Sequence, residues 1–153
     1  MSTDERARLT LRIMRHEGPG PMKAGRHLMY QDTVGKWSVG YGRNLSDRGL
    51  SKDEALFLLE NDLNDAIHDC MMTFPWFSAM DSVRQQVLVE LVFNMGLPTV
   101  LTFKHTLKWW GQGDYVRAAA HLRRSKWFTQ VGALPEQRGG RLVRMLETGL
   151  EAA

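Results

Sequence analysis

Helical spacing governs this chain except between Gly18 and Gly42, and that single interruption constrains the fold most. Gly18-Pro19-Gly20-Pro21 halts the preceding helix, because proline removes a backbone donor and glycine favours other conformations. From Tyr30 to Tyr41 the residues fall into short extended pieces punctuated by Gly35, Gly40 and Gly42, which suits a small antiparallel sheet. Residues 18 to 29 read as a loop rich in Gly and Pro, with Lys23, Arg26 and His27 adding positive charge. One short β region among helices makes the chain α+β and predominantly helical.

The helices can be placed by periodicity. Leu9, Ile13 and Met14 share a face of the first, and Glu17 follows Ile13 at i+4. Ser51 and Glu54 form a capping-box pattern ahead of a long helix reaching about Met72, with Ala55, Leu58, Leu59, Ala66, Ile67 and Cys70 at helical spacing. Phe74-Pro75-Trp76 is a break. A third helix covers 81 to 95, with Val83, Val87, Leu88, Leu91 and Met95 inward and Gly96 as its C-cap. Three further segments are expected near 99–110, 114–124 and 135–148. Asp114 is the N-cap of the second of these, and Pro135 lies in the first turn of the last. The expectation is one domain over 1–153. It would have a small lobe at about 15–50, a linking helix at about 51–72 and a helical lobe at about 73–150, with the N-terminal helix packed on the helical lobe.

At 153 residues the chain can bury a real core. Its start, Met1-Ser2-Thr3-Asp4-Glu5-Arg6, is charged and lacks the apolar stretch of a signal peptide. No apolar run approaches the roughly 18 to 20 residues that span a bilayer. We therefore expect a chain made in a cytoplasm, without stable membrane insertion, that needs outside help to reach any target beyond it. Cys70 is the only cysteine, which excludes an intrachain disulfide and a cysteine-based zinc site and places Cys70 in the core. Net charge is +3, and residues 117–144 hold seven Arg and Lys against Glu136 alone, a net of 7 − 1 = +6. That reads either as a solvated basic surface or as a site for an anionic polymer such as cell-wall glycan, or for nucleic acid.

Glu17 and Asp32 occupy different local settings close together. Glu17 ends a helix among apolar positions, where lost hydration and the helix dipole both work against a negative charge and suit a proton donor. Asp32 lies in a Gln-Asp-Thr-Val-Gly turn, whose solvation would keep it ionised, and Ser38 on the next strand can orient a water. Two carboxylates in contrasting environments are what glycosidic-bond hydrolysis requires. Each residue alone also has a bland reading: an ion-paired Glu near Arg15 or His16, a turn Asp, a solvent-facing Ser.

Together these residues carry a resemblance. Glu17-Gly18 and Tyr30-Gln31-Asp32-Thr33-Val34-Gly35-Lys36-Trp37-Ser38-Val39-Gly40-Tyr41-Gly42 closely resemble the catalytic region of phage-type lysozymes of the T-even kind, glycoside hydrolase family 24. The likeness continues through Ser51-Lys52-Asp53-Glu54-Ala55, Val92-Phe93-Asn94-Met95-Gly96, Ser125-Lys126-Trp127-Phe128 and the basic final helix ending Glu147-Thr148-Gly149. It implies a lysozyme-like fold and hydrolysis of the β-1,4 bond between N-acetylmuramic acid and N-acetylglucosamine in peptidoglycan. By that likeness Glu17 is the general acid, Asp32 the second carboxylate and Ser38 the hydroxyl that positions water, with an inverting course. Phe93, Asn94, Met95 and Gly96 would line a glycan cleft between the lobes, and Arg138 would contact peptidoglycan. Phe93 and Met95 are equally readable as core, and Trp127 as packing. The resemblance implies no metal or other cofactor. It implies a monomeric endolysin, made in the host cytoplasm, that acts on the wall in the periplasm or envelope with help from a holin.

Three departures from the family stand out. The Glu-to-Asp spacing, 32 − 17 = 15, is longer than in the T-even enzymes because of the Gly-Pro-rich segment. Arg43 stands where the family has His, so a structural His–Asp ion pair is missing or rebuilt. The connection from Asn44 to Leu50 is shorter. A non-catalytic wall-binding protein of this fold is the alternative, although it would be expected to lose Glu17 or Asp32. Nucleic-acid binding would explain only the basic segment. The five histidines show no H-E-x-x-H spacing of a metallopeptidase.

Overall fold

A computed structural model describes residues 1–151; Ala152 and Ala153, at the end of the expected domain, lie outside the described residues. The chain forms two compact units, Met1–Phe57 and Leu58–Ala153. The division falls inside one long helix.

The first unit opens with α1 (Thr3–Glu17). Its start is a capping box: the Ser2 side chain accepts from the Glu5 amide at 3.3 Å, and the Ser2 amide donates to Glu5 Oε2 at 2.6 Å. Ser2-Thr3-Asp4-Glu5 carries that signal in the sequence, where the apolar periodicity alone leaves the helix start open. Gly18 ends the helix at φ +69°, with its amide donating to the Met14 carbonyl.

The segment expected to be a loop, 18–29, contains a hairpin. β1 (Met22–Lys23) pairs antiparallel with β2 (Arg26–His27), in the register Met22 to His27 and Lys23 to Arg26. Ala24 and Gly25 form its two-residue turn, both at positive φ (48° and 76°), the geometry whose twist matches paired strands. A three-stranded sheet follows in the order β3 (Tyr30–Gln31), β4 (Trp37–Val39), β5 (Arg43–Asn44), antiparallel throughout. The expected small antiparallel sheet is thus present, joined by a second one.

α2 (Lys52–Thr73) begins with the expected capping box, the Ser51 amide donating to Glu54 Oε2 and the Glu54 amide to Ser51 Oγ. Arg43 forms an ion pair with Glu54 and donates to the Gly49 carbonyl at 3.2 Å. Arg43, at the position where the resemblance expects His, thus ties β5 to the first turn of α2.

The second unit is all helical. A 3-10 turn at Phe77–Ala79 precedes α3 (Ser82–Met95), which Asp81 caps through the Arg84 amide and Gly96 ends. Val87, Leu88, Val89, Leu91 and Val92 of α3 are buried, more than the expected stripe, because neighbouring helices cover several sides. The expected helix 99–110 is two pieces, α4 (Leu97–Val100) and α5 (Lys104–Gly111), with Thr102 Oγ1 donating to the Thr99 carbonyl at the break. Asp114 caps α6 (Tyr115–Leu122) as expected. A short α7 (Lys126–Gln130), capped by Ser125, follows. α8 (Arg138–Thr148) starts three residues after Pro135, which falls in the preceding turn rather than in the helix. Within this unit Cys70, Val87, Leu88, Trp110, Leu122 and Leu146 are among the fully enclosed side chains.

Burial pushes the Cys70 thiol up to about 12, with a smaller contribution from Asp69. Cys70 should therefore resist thiol reagents in the native protein at pH 8 and react fully in denaturant; native-state labelling at the denatured rate would contradict its burial. Ala24 holds a left-handed conformation that costs an L-residue roughly 1–2 kcal/mol, whereas Asn tolerates it. Ala24→Asn should stabilise by up to about 1 kcal/mol, read as a higher urea midpoint with an unchanged slope; a lower midpoint would contradict the turn geometry.

Candidate active site

The first group of candidate residues lies wholly in the first unit, where the end of α1 meets the sheet. The Glu17 carboxylate rests against the backbone at Gly42: a Cβ built there would stand 2.9 Å from Glu17 Oε2. Gly42 has φ +80°, so its backbone conformation favours glycine, while a side chain there would push the flexible Glu17 carboxylate aside. This contact joins the helix-ending acid to the strand-ending Gly-Tyr-Gly run. Glu17 is exposed. The loss of hydration expected from its apolar sequence neighbours is therefore absent here, because those neighbours are themselves exposed or only half-buried.

Asp32 follows β3 and closes the turn to β4. Its amide donates to the Lys36 carbonyl and its carbonyl accepts from Gly35. Oδ1 accepts from the amides of Val34 (3.0 Å) and Lys36 (2.9 Å), so one carboxylate oxygen is committed to shaping the turn. Oδ2 lies outside that turn network. Lys36 is directly opposite Asp32, yet its ammonium pairs with Asp47 and holds the Asp47 carboxyl below the ordinary carboxylate range. The Asp47 carboxylate is itself anchored by Asn44 Nδ2 at 3.1 Å.

Ser38 is the central residue of β4, partnered by Tyr30 on one side and Asn44 on the other, and is only 5 % exposed. It does not face solvent as most strand serines do. The register sets its place relative to Asp32. Asp32 lies one residue past β3 and Lys36 one before β4, so continuing the ladder's alternation by one residue puts both on the side of Tyr30 and Ser38.

The inserted hairpin is tied down at four points. Leu28 donates to the Pro21 carbonyl at 2.8 Å, and His27 Nδ1 donates to the Pro19 carbonyl at 2.7 Å. The His27 ring meets the Tyr41 ring at 5.4 Å. Gly20 lies so close to Tyr30 that a Cβ would stand 2.8 Å from its ring. Two of these contacts close the segment on itself, and the other two set it against Tyr30 of β3 and Tyr41 after β4. Gly25 was the one hint of this hairpin in the sequence, since Ala at the other turn position does not mark one.

The second group lies in the second unit. Phe93 is 40 % exposed and lines an apolar groove of about 700 Å³ together with Leu59, Leu63, Ile67, Met71 and Val89. Asn94 is exposed, and its Oδ1 accepts from Trp127 Nε1 at 2.8 Å. Trp127 is buried as expected, and it also fixes which way the Asn94 amide points, leaving Nδ2 as an outward donor. Periodicity gave no sign of that hydrogen bond. Met95 packs against the core, and Gly96 ends α3 at φ +79°. Arg138, the first residue of α8, pairs with Glu90 at 3.3 Å and lines a pocket of about 320 Å³ with Arg141, Leu142 and Met145.

The sequence pattern of the phage lysozyme family matches residues 22–144. The match includes Asp32, Ser38, Phe93 to Gly96 and Arg138, while Glu17 stands just ahead of it. Two relatives from Dictyostelium discoideum are similar over most of their length. The protein named "Probable T4-type lysozyme 2" is 26% identical over 151 residues, covering 79% of this chain and 86% of the relative. "Probable T4-type lysozyme 1" is 28% identical over 152 residues, with the same coverage. The capped long helix, the two small antiparallel sheets and a family match spanning most of the chain agree: this protein belongs to the phage lysozyme family.

Proposed function

We propose that this peptidoglycan-hydrolysing lysozyme is an N-acetylmuramidase that cleaves the β-1,4 bond between N-acetylmuramic acid and N-acetylglucosamine, with Glu17, Asp32 and Ser38 as its reacting groups. The reading is supported by the Glu17 carboxylate lying exposed beside Gly42, in the same compact unit as the sheet whose Asp32 turn and Ser38 lie on neighbouring strands. In this assignment Glu17 protonates the leaving glycosidic oxygen, which turns an alkoxide leaving group into an alcohol. Asp32 takes a proton from water as it attacks the anomeric carbon, and Ser38 holds that water. With Oδ1 anchored by two backbone amides, the carboxylate is held in one orientation, and Oδ2 is the oxygen assigned to the water. Attack from the face opposite the leaving group gives inversion.

Asn94 is assigned to the glycan through its free amide donor, Phe93 to an apolar contact with the sugar or its acetyl group, and Met95 and Gly96 to shaping the segment. Arg138 is assigned to an anionic group of the wall. The biological setting we propose is that of a monomeric phage or prophage endolysin, released from the host cytoplasm to the wall with a holin's help.

Digestion of purified cell walls in 18O water, followed by mass analysis of the muropeptides, tests the reaction. Label at the reducing end of muramic acid is expected; label at glucosamine, or anhydro products without label, would replace the assignment. Glu17→Gln should lower wall lysis by at least about 10²-fold while leaving the melting temperature nearly unchanged. Ser38→Ala should cost less activity than Asp32→Ala, and full activity in both would remove the proposed base side. Trp127→Phe keeps a buried ring but releases the Asn94 amide. With soluble peptidoglycan oligomers it should raise KM several-fold at nearly constant kcat; a loss confined to kcat would argue against a binding role for Asn94.

A further inference from the structure

A cationic strip runs along the seam of α5 and α6, within the second unit and apart from every residue assigned above. His105 stacks on His121, with centroids 5.4 Å apart and planes 18° from parallel. Four residues further along α5 is Trp109, and four residues back along α6 is Arg117, whose guanidinium carbon lies 4.6 Å from the indole centroid. These are successive rungs of two antiparallel helices. The Lys108 ammonium lies over the same indole at 5.1 Å. Lys104 precedes Lys108 by one turn, and Arg124 continues the Arg117–His121 stripe, all three being exposed. Between residues 101 and 126 the only acid is Asp114, which pairs with Arg117 at 3.3 Å.

Two neighbouring imidazoles could suggest a metal ion, but the surroundings decide otherwise. Stacked rings direct their nitrogen lone pairs side by side rather than toward a common point, and Lys104, Lys108, Arg117 and Arg124 repel a cation. The strip fits an anion. We propose that it is a docking surface for anionic phospholipid headgroups, on which this lysozyme lies peripherally at a membrane. Charge complementarity carries the proposal. Lys108 and Arg117 are held over an aromatic ring, so less side-chain freedom is lost when they meet phosphates. Trp109 is half-buried, offering an apolar body and one N–H at headgroup depth, and exposed Val116 lies beside Arg117 in α6. Single-stranded nucleic acid fits less well. Its bases need open aromatic faces, whereas the Trp109 ring has cations over it and the two imidazoles cover one another.

The test is partition of the full-length protein onto sedimented vesicles, without turnover, so that it stands or falls separately from the muramidase reading. Binding to 1:1 phosphatidylglycerol–phosphatidylcholine and little to phosphatidylcholine alone is expected. Each basic residue near an anionic surface is worth about a fivefold change in partition, so Lys104→Gln/Lys108→Gln should bind about 25-fold more weakly. Arg6→Gln/Arg8→Gln on α1 removes the same charge and should change binding little. Equal losses in both pairs would mean net charge alone and overturn the proposal. So would a Lys104/Lys108 variant that keeps its vesicle affinity while losing affinity for a single-stranded oligonucleotide. Unfolding curves for both variants, expected to overlay the parent, keep misfolding from imitating a result.

Discussion

The first unit depends on the contact between the Glu17 carboxylate and the Gly42 backbone. Gly42 holds φ +80°, a backbone conformation that favours glycine, and the Glu17 carboxylate lies in the space a side chain there would enter. The acid that ends α1 and the acid in the β3–β4 turn both belong to this one small unit. Around it the chain is held by short-range bonds: the Asp32 turn, the Lys36–Asp47 pair and the Arg43–Glu54 pair. Strands of two or three residues bury little, so polar pairing and turn geometry carry much of the definition of this sheet.

Asp32 and Lys36 show how a charged sheet can keep a carboxylate available. They are cross-strand neighbours of opposite charge, which would ordinarily pair. Here Asp47 takes the lysine, and Asn44 holds Asp47 in place to receive it. Asp32 instead spends one oxygen on backbone amides, which orient the carboxylate without neutralising it by a cation. The second unit uses a comparable economy at Asn94. Its acceptor is occupied by a buried indole N–H, so the surface amide is oriented from beneath.

Much of this architecture was legible along the chain. Ser51 and Glu54 announced the start of α2, Asp114 that of α6 and Gly96 the end of α3, because caps satisfy backbone groups locally and need no distant partner. The same rule makes the Ser2–Glu5 box visible, whereas the hairpin within 18–29, read as a loop, was not legible, because Ala24 is not a residue that marks such a turn. The break at Leu101–Phe103 and the late start of α8 were not legible. Apolar spacing continues through both, and the side chain of Thr102 and the turn at Pro135 end the helical geometry without disturbing that spacing. Glu17 was misjudged in one respect: apolar sequence neighbours imply burial only if another element covers them.

By itself the sequence determined the residue types, their order and the local devices: which acid ends a helix, which sits in a turn, where glycine must be, and a family pattern spanning 22–144. Only the tertiary structure decided which groups meet. The pairing of Arg43 with Glu54, the capture of Lys36 by Asp47, the anchoring of Asn94 by Trp127 and the His105–His121 stack all join residues on different elements. The physical reason is range. Caps, turns and strand alternation act over a few residues and leave a mark in the local pattern. A side-chain pair across elements depends on register and helix rotation, which the whole unit fixes through packing.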